Sequence, residues 1–176
     1  PVFYAHKRSG GRSHWKGDYV DGSTKPLLPF GFGLSYTTFA YSDFEIESEE
    51  VTTTGSFKAS ICVQNTGNMP GDAVVQLYCA DPVASVTRPV KELKGFARVH
   101  LECGQKVRVQ FEVAASQMAF VDRGMRFVVE PGEIQVMFGE HAEKIAASGT
   151  VTLTGEKQCV DESREFFSQY TVKDMG

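Results

Sequence analysis

Four carboxylates sit where acid–base chemistry would want them, on loops and strand ends: Asp18, Asp21, Asp81 and Glu130. Hydrolysis by general acid and base needs two such groups facing one bond, with their pKa values pushed apart. No spacing in the chain pairs these four, and Asp and Glu at such places ordinarily form turns or stay solvated. His6 and His14 share a loop, while His100 and His141 are scattered, so no tetrahedral ligand set emerges and no metal is predicted. There is no Gly-x-Ser-x-Gly run. Ser9-Gly10-Gly11-Arg12 lacks the spacing and the strand-to-helix setting of a phosphate loop. No cofactor is predicted. One constellation is left, Arg12, His14, Trp15 and Tyr19. Flat rings beside donors can stack on a sugar and bind its hydroxyls. The same side chains can pack against a neighbouring domain or subunit, and both readings stay open.

The elements around these residues divide the chain. Residues 1–24 are basic, Gly-rich and aromatic, with neither a helical nor a strand period, and read as a loop. Next comes Lys25-Pro26-Leu27-Leu28-Pro29-Phe30-Gly31-Phe32-Gly33-Leu34-Ser35-Tyr36-Thr37-Thr38-Phe39. Pro fixes φ and removes a donor, and Gly allows close backbone approach. The stretch is predicted to be an extended, ordered connector over 25–38. Its rings Phe30, Phe32 and Tyr36 would wedge between two packed bodies. The simpler alternative is a hydrophobic lead-in to the first strand.

From Phe39 onward the pattern is one of short strands. Residues 57–64 alternate, with Phe57, Ala59, Ile61 and Val63 on one face and Cys62 on the other. Residues 73–81 are nearly all apolar and read as an interior strand. A short strand is expected at 91–96. Residues 105–113 alternate cleanly, as a strand with one wet face does. One helical turn is expected at 114–120, short strands at 126–130 and 133–138, and a last strand at 150–154. Residues 155–176 read as a polar tail. Strands separated by turns, with no convincing helix, predict an all-β fold. The class is an antiparallel β-sandwich of immunoglobulin or fibronectin type III-like form, with an N-terminal loop segment from a preceding domain. A small barrel is the alternative. The sandwich is expected over 39–154.

At 176 residues the chain is a single domain or a domain plus appendages. A net charge of −4 argues against a nucleic-acid partner, and no apolar run is long enough for a membrane span. Cys62, Cys79, Cys103 and Cys159 match no zinc spacing and are expected as free thiols, with Cys79 buried. The start, Pro1-Val2-Phe3, has neither an initiator Met nor a signal peptide, and reads as cut from something longer.

Several runs resemble glycoside hydrolase family 3, the β-glucosidase and β-xylosidase group. Tyr4-Ala5-His6-Lys7-Arg8-Ser9-Gly10 resembles the end of the family's second, α/β domain, with Ala5 and Arg8 in place of the usual Asn and Pro. The connector from Pro29 to Phe39 follows. Asn65-Thr66-Gly67, Gly71-Asp72 and Val74-Val75-Gln76-Leu77-Tyr78 resemble the opening of the family's fibronectin type III-like domain. The most specific run is Asp81-Pro82-Val83-Ala84-Ser85-Val86-Thr87-Arg88-Pro89-Val90-Lys91-Glu92-Leu93-Lys94-Gly95-Phe96. Glu130-Pro131-Gly132, then Val136 and Gly139, complete the series, with Phe127 where members often carry Trp.

The resemblance implies a parent enzyme that is a retaining β-glycosidase acting on terminal β-glucosyl or β-xylosyl units. Family members place an Asp nucleophile in an N-terminal barrel and commonly a Glu acid/base in the second domain. Neither motif is in this chain, so no catalytic role passes to any residue here. The chain would be the accessory C-terminal piece, with the barrel and α/β domains as partners, a homodimer as a further partner, and a β-linked glucoside, xyloside or oligosaccharide as the parent's substrate. Arg12, His14, Trp15 and Tyr19 would lie near the substrate mouth or an interdomain contact. The compartment stays open among periplasm, cytoplasm and secretion. The competing reading is a stand-alone carbohydrate-binding or oligomerisation module.

Overall fold

A computed structural model describes residues 3–6, 25–160 and 164–176. Its strands are β1 (Phe39–Ile46), β2 (Glu50–Thr52), β3 (Ser56–Asn65), β4 (Gly71–Ala80), β5 (Glu92–Leu101), β6 (Lys106–Ala114), β7 (Phe120–Val121), β8 (Phe127–Val129), β9 (Gly132–His141), β10 (Lys144–Thr154), β11 (Gln158–Cys159) and β12 (Gln169–Asp174). A 3₁₀ turn, Ala115–Met118, stands where one helical turn is expected. One sheet has the order β1-β3-β6-β12, the other β2-β10-β9-β4-β5, and β11-β8-β7 form a small third sheet. All pairings are antiparallel except β2 with β10. The fold is the predicted β-sandwich.

Period-two alternation builds the core. Phe57, Ala59, Ile61 and Val63 of β3 face inward, as do Val107, Val109, Phe111 and Val113 of β6. They meet Ala73, Val75, Leu77 and Cys79 of β4, Ile134, Val136 and Phe138 of β9, and Val151 and Leu153 of β10. Cys79 is buried as expected, and burial pushes its thiol up to about 12. The four cysteines are free. Cys62 does lie on the face away from Ile61, yet it is fully buried. The long side chains of β6 cover that face: Arg108 reaches Glu45 at 2.8 Å and Ser60 at 3.0 Å, and Lys106 reaches Asp43 at 2.6 Å.

Three elements run further than the sequence reading gave them. β5 extends beyond 91–96 to Leu101, with Ala97, Val99 and Leu101 inward and Phe96, Arg98 and His100 outward. β10 begins at Lys144 rather than 150, because its first half is Ala-Ala-Ser-Gly, a composition with little strand signal. Those small residues have a reason. A Cβ at Gly149 would lie 2.8 Å from the Phe44 ring. The stretch read as a polar tail contains β12, which pairs with β6 from Gln169↔Glu112 to Asp174↔Val107. Ser168 Oγ donates to Lys94 O at 2.9 Å, fixing the entry to this strand. It passes directly against Gly95, where a Cβ would meet Phe111 at 2.8 Å and Ser168 at 3.2 Å.

Candidate docking face and connector

The connector lies against the outer face of β4 and β9. Pro29-Phe30-Gly31-Phe32 closes a tight turn, with Phe32 N–H donating to Pro29 O at 3.0 Å. Gly31 occupies its third position at φ +81°, the conformation a type II turn needs there. A Cβ at Gly31 would also fall 2.1 Å from Gln76 Oε1, so only glycine fits. The turn is pinned from both sides. Ala142 N–H donates to Phe30 O at 2.9 Å, and Gln76 Nε2 donates to Gly31 O at 3.0 Å.

Gln76 is the hinge-pin of this arrangement. In the sequence it lies opposite Val75, Leu77 and Cys79 in a strand read as interior, and the connector covers it and leaves it 4% exposed. Its amide also donates to Glu140 O at 2.6 Å, and its Oε1 accepts the Tyr78 hydroxyl at 2.5 Å. Tyr78 is wholly buried, and burial raises its phenol pKa far above the ordinary value. The apolar run around Gln76 marks an interior strand, but nothing in it names the connector as the cover, because that cover comes from a distant segment.

Beyond this turn the connector rings point outward. Phe30 and Phe32 are partly covered, whereas Leu34 is 92% and Tyr36 94% exposed. Leu27 and Leu28 are exposed as well. Phe30, Phe32 and Leu34, with Phe96 and Val74 of the sheet face, border a groove of about 640 Å³. Its polar rim includes Asp72, which Arg98 and His100 hold by hydrogen bonds with its carboxyl below the usual range. Of the residues singled out in the sequence, Phe30 and Phe32 line this groove, whereas Tyr36 is exposed and is not part of its lining. Arg12, His14, Trp15 and Tyr19, with Asp18 and Asp21, lie outside the described residues.

Asp81 and Glu130 frame the 81–91 loop. Burial pushes the Asp81 carboxyl up, against the pull of Arg88 at 3.9 Å. Burial also raises Glu130, but the Ser85 hydroxyl and amide (2.7 and 3.0 Å) and Lys157 (3.1 Å) outweigh it and leave it below its usual range. Opposite shifts can mark an acid–base pair. Here both groups are engaged in holding the loop, Glu130 through Ser85 and Lys157 and Asp81 beside Arg88. Arg88 explains why this run is so distinctive. It donates to Glu92 Oε2 at 3.1 Å and to Met118 O at 3.2 Å, and its guanidinium lies 4.6 Å from the centre of the Phe120 ring. Beside it the buried Lys94 donates to Gln117 O at 2.8 Å, and burial lowers its pKa. Among the described residues no group of three His, Cys, Asp or Glu side chains could hold a metal ion.

The domain model for the fibronectin type III-like family matches residues 73–142, which run from β4 into the turn after β9. This chain carries a fibronectin type III-like domain. It is 36% identical over 151 residues to the periplasmic beta-glucosidase of Salmonella typhimurium, covering 82% of this chain and 20% of that protein. It is 40% identical over 139 residues to a beta-xylosidase of Formosa agariphila, covering 79% of this chain and 19% of that protein. Among solved structures, a β-glucosidase from Erythrobacter marinus superposes with a TM-score of 0.78 at 38% identity, over 88% of this chain and 20% of that one. The fibronectin-like domain is thus of the kind carried by the β-glucosidase and β-xylosidase family. The chain spans about a fifth of the length of the curated relatives it matches.

Proposed function

We propose that this chain is the accessory, fibronectin type III-like portion of a family 3 retaining β-glycosidase that hydrolyses terminal β-glucosyl or β-xylosyl units. It supports and packs against the catalytic domains and does not itself catalyse. On this reading the chain divides into the end of the preceding α/β domain at 1–24, the connector at 25–38, the sandwich at 39–154, and a C-terminal segment at 155–176. Arg12, His14, Trp15 and Tyr19 belong to the substrate mouth or an interdomain contact. No helix among the described residues is long and apolar enough to cross a membrane, and one relative is named as periplasmic, so a periplasmic site for the parent enzyme fits.

The observation that carries the reading is the connector. Its turn is locked by three backbone-directed hydrogen bonds, yet its aromatic and leucine side chains beyond the turn face solvent. Rings presented on a fixed backbone bind with little ordering entropy to lose. Exposed apolar surface of this kind marks an interaction face. The occupant is the rest of the enzyme, since the relatives carry four-fifths of their length outside the matched region. In a calorimetric titration of this chain against its separately expressed catalytic portion, Leu34→Ala/Tyr36→Ala should weaken binding roughly 100-fold, in line with about 1–2 kcal/mol for each truncated interface residue. Its urea midpoint should stay unchanged. Equal affinities for variant and wild type would remove the docking face from the account.

A further inference from the structure

The short N-terminal segment 3–6 is bound to the sandwich at a place the connector also uses. The Tyr4 ring stacks face to face on Phe30, with centroids 4.1 Å apart and planes inclined by 11°. It meets Tyr78 edge-on at 6.1 Å. Its hydroxyl oxygen accepts the Leu93 amide at 3.0 Å. The next residue, Ala5, is buried, and its carbonyl accepts the Val90 amide at 2.9 Å. Val90 lies just before β5 and Leu93 is its second residue. Under the ring lies a small apolar cluster of Tyr78, Ala80, Met137 and Ala142, separate from the main core. Two stretches far apart in the chain thus meet ring on ring, each fixed by hydrogen bonds to the sheet.

We propose that Tyr4 is a positioning residue that clamps the two ends of the 7–24 span together on the fibronectin-like domain. The ring does this through Phe30, and its hydroxyl through the Leu93 amide. The inference deepens the accessory reading, because it names where the sandwich exerts its support. It does not depend on that reading, since the clamp is complete within this chain. A tyrosine that merely covered apolar surface would need neither a coplanar ring partner nor an accepted backbone hydrogen bond. The two tasks are separable by substitution. Tyr4→Phe keeps the stack and removes the acceptor, and Tyr4→Ala removes both.

The test uses the 176-residue chain alone, with amide hydrogen exchange followed at Val90, Leu93 and Val109. In Tyr4→Ala, exchange at Val90 and Leu93 should accelerate at least tenfold, while Val109 in the core keeps its protection. In Tyr4→Phe, Leu93 alone should accelerate and Val90 should stay protected. Unchanged Val90 exchange in Tyr4→Ala, or loss of Val109 protection by the same factor, would overturn the proposal. None of these readouts involves hydrolysis or the partner domains, so the docking reading can fail while the clamp stands, and the reverse.

Discussion

Replacing Gln76 with Leu is expected to destabilise the chain by about 3 kcal/mol, although Leu is apolar, of similar size and enters a buried position. Gln76 is 4% exposed and makes three hydrogen bonds, to Gly31 O, Glu140 O and from the Tyr78 hydroxyl. Leu leaves all three partners without their protein contact. An unsatisfied buried polar group costs about 1–3 kcal/mol. Tyr78 is wholly buried, so its hydroxyl bears most of the loss, and the two carbonyls recover part of theirs from water where the connector lifts. A further signature follows from the asymmetry of that rule. Removing both partners of a buried bond is far milder than removing one. Tyr78→Phe in the Gln76→Leu background should therefore restore about 1 kcal/mol. Urea unfolding of the two single variants and the double variant reads this coupling directly. Additive single and double effects would show that Gln76 and Tyr78 are not a functional pair.

Arg88→Ala is expected to have a comparable effect, about 3 kcal/mol, through charge rather than burial of a neutral group. Arg88 and Asp81 side chains are each 11% exposed, and Arg88 also binds Glu92 and Met118 O. Removing one partner of a buried ion pair leaves the other uncompensated, at a cost of about 3–5 kcal/mol. Arg88→Lys should recover little of it, because one ammonium cannot reach Glu92, Met118 O and the Phe120 face together. The pH dependence has a definite sign. Asp81 already titrates above its ordinary value through burial, with Arg88 holding it down. Without Arg88 its folded pKa rises further. A group whose folded pKa is raised favours the folded state below its unfolded pKa and loses that contribution as pH rises through the folded value. The deficit of Arg88→Ala against wild type should therefore be larger at neutral pH and shrink as pH falls towards about 4, the ordinary carboxyl range. A deficit that grew on acidification would contradict this.

The sandwich was legible because its core strands alternate strictly. Phe57 to Val63 and Val107 to Val113 need no tertiary knowledge to be placed on an inner face. Where the reading fell short, the missing information was contact between distant segments. Gln76 sits in a strand that reads as interior, but its partners Gly31 and Glu140 appear only once the connector lies over it. Cys62 looks wet until Arg108 and its partners cross it. The opening half of β10 is made small by the Phe44 ring, and small residues carry no strand signal of their own. β12 was overlooked because its residues all remain exposed and its pairing with β6 is an edge addition, although Tyr170-Thr171-Val172 is a strand-favouring triplet. The connector rings Phe30, Phe32 and Tyr36 are nameable from composition, since Pro and Gly leave them no regular element to join. Tyr4 was not, because a stack on Phe30, 26 positions away, leaves no periodic trace.

The measurement that bears most directly on the accessory role is a split-enzyme assay. The catalytic portion, expressed without residues 25–176, is assayed for hydrolysis of an aryl β-glucoside and an aryl β-xyloside, before and after this chain's connector and sandwich are added back. The account predicts low activity or poor stability alone, restored on addition through a complex of one copy each. Full activity and an undiminished thermal midpoint without residues 25–176, together with no binding of the added piece at about 100 µM, would contradict it.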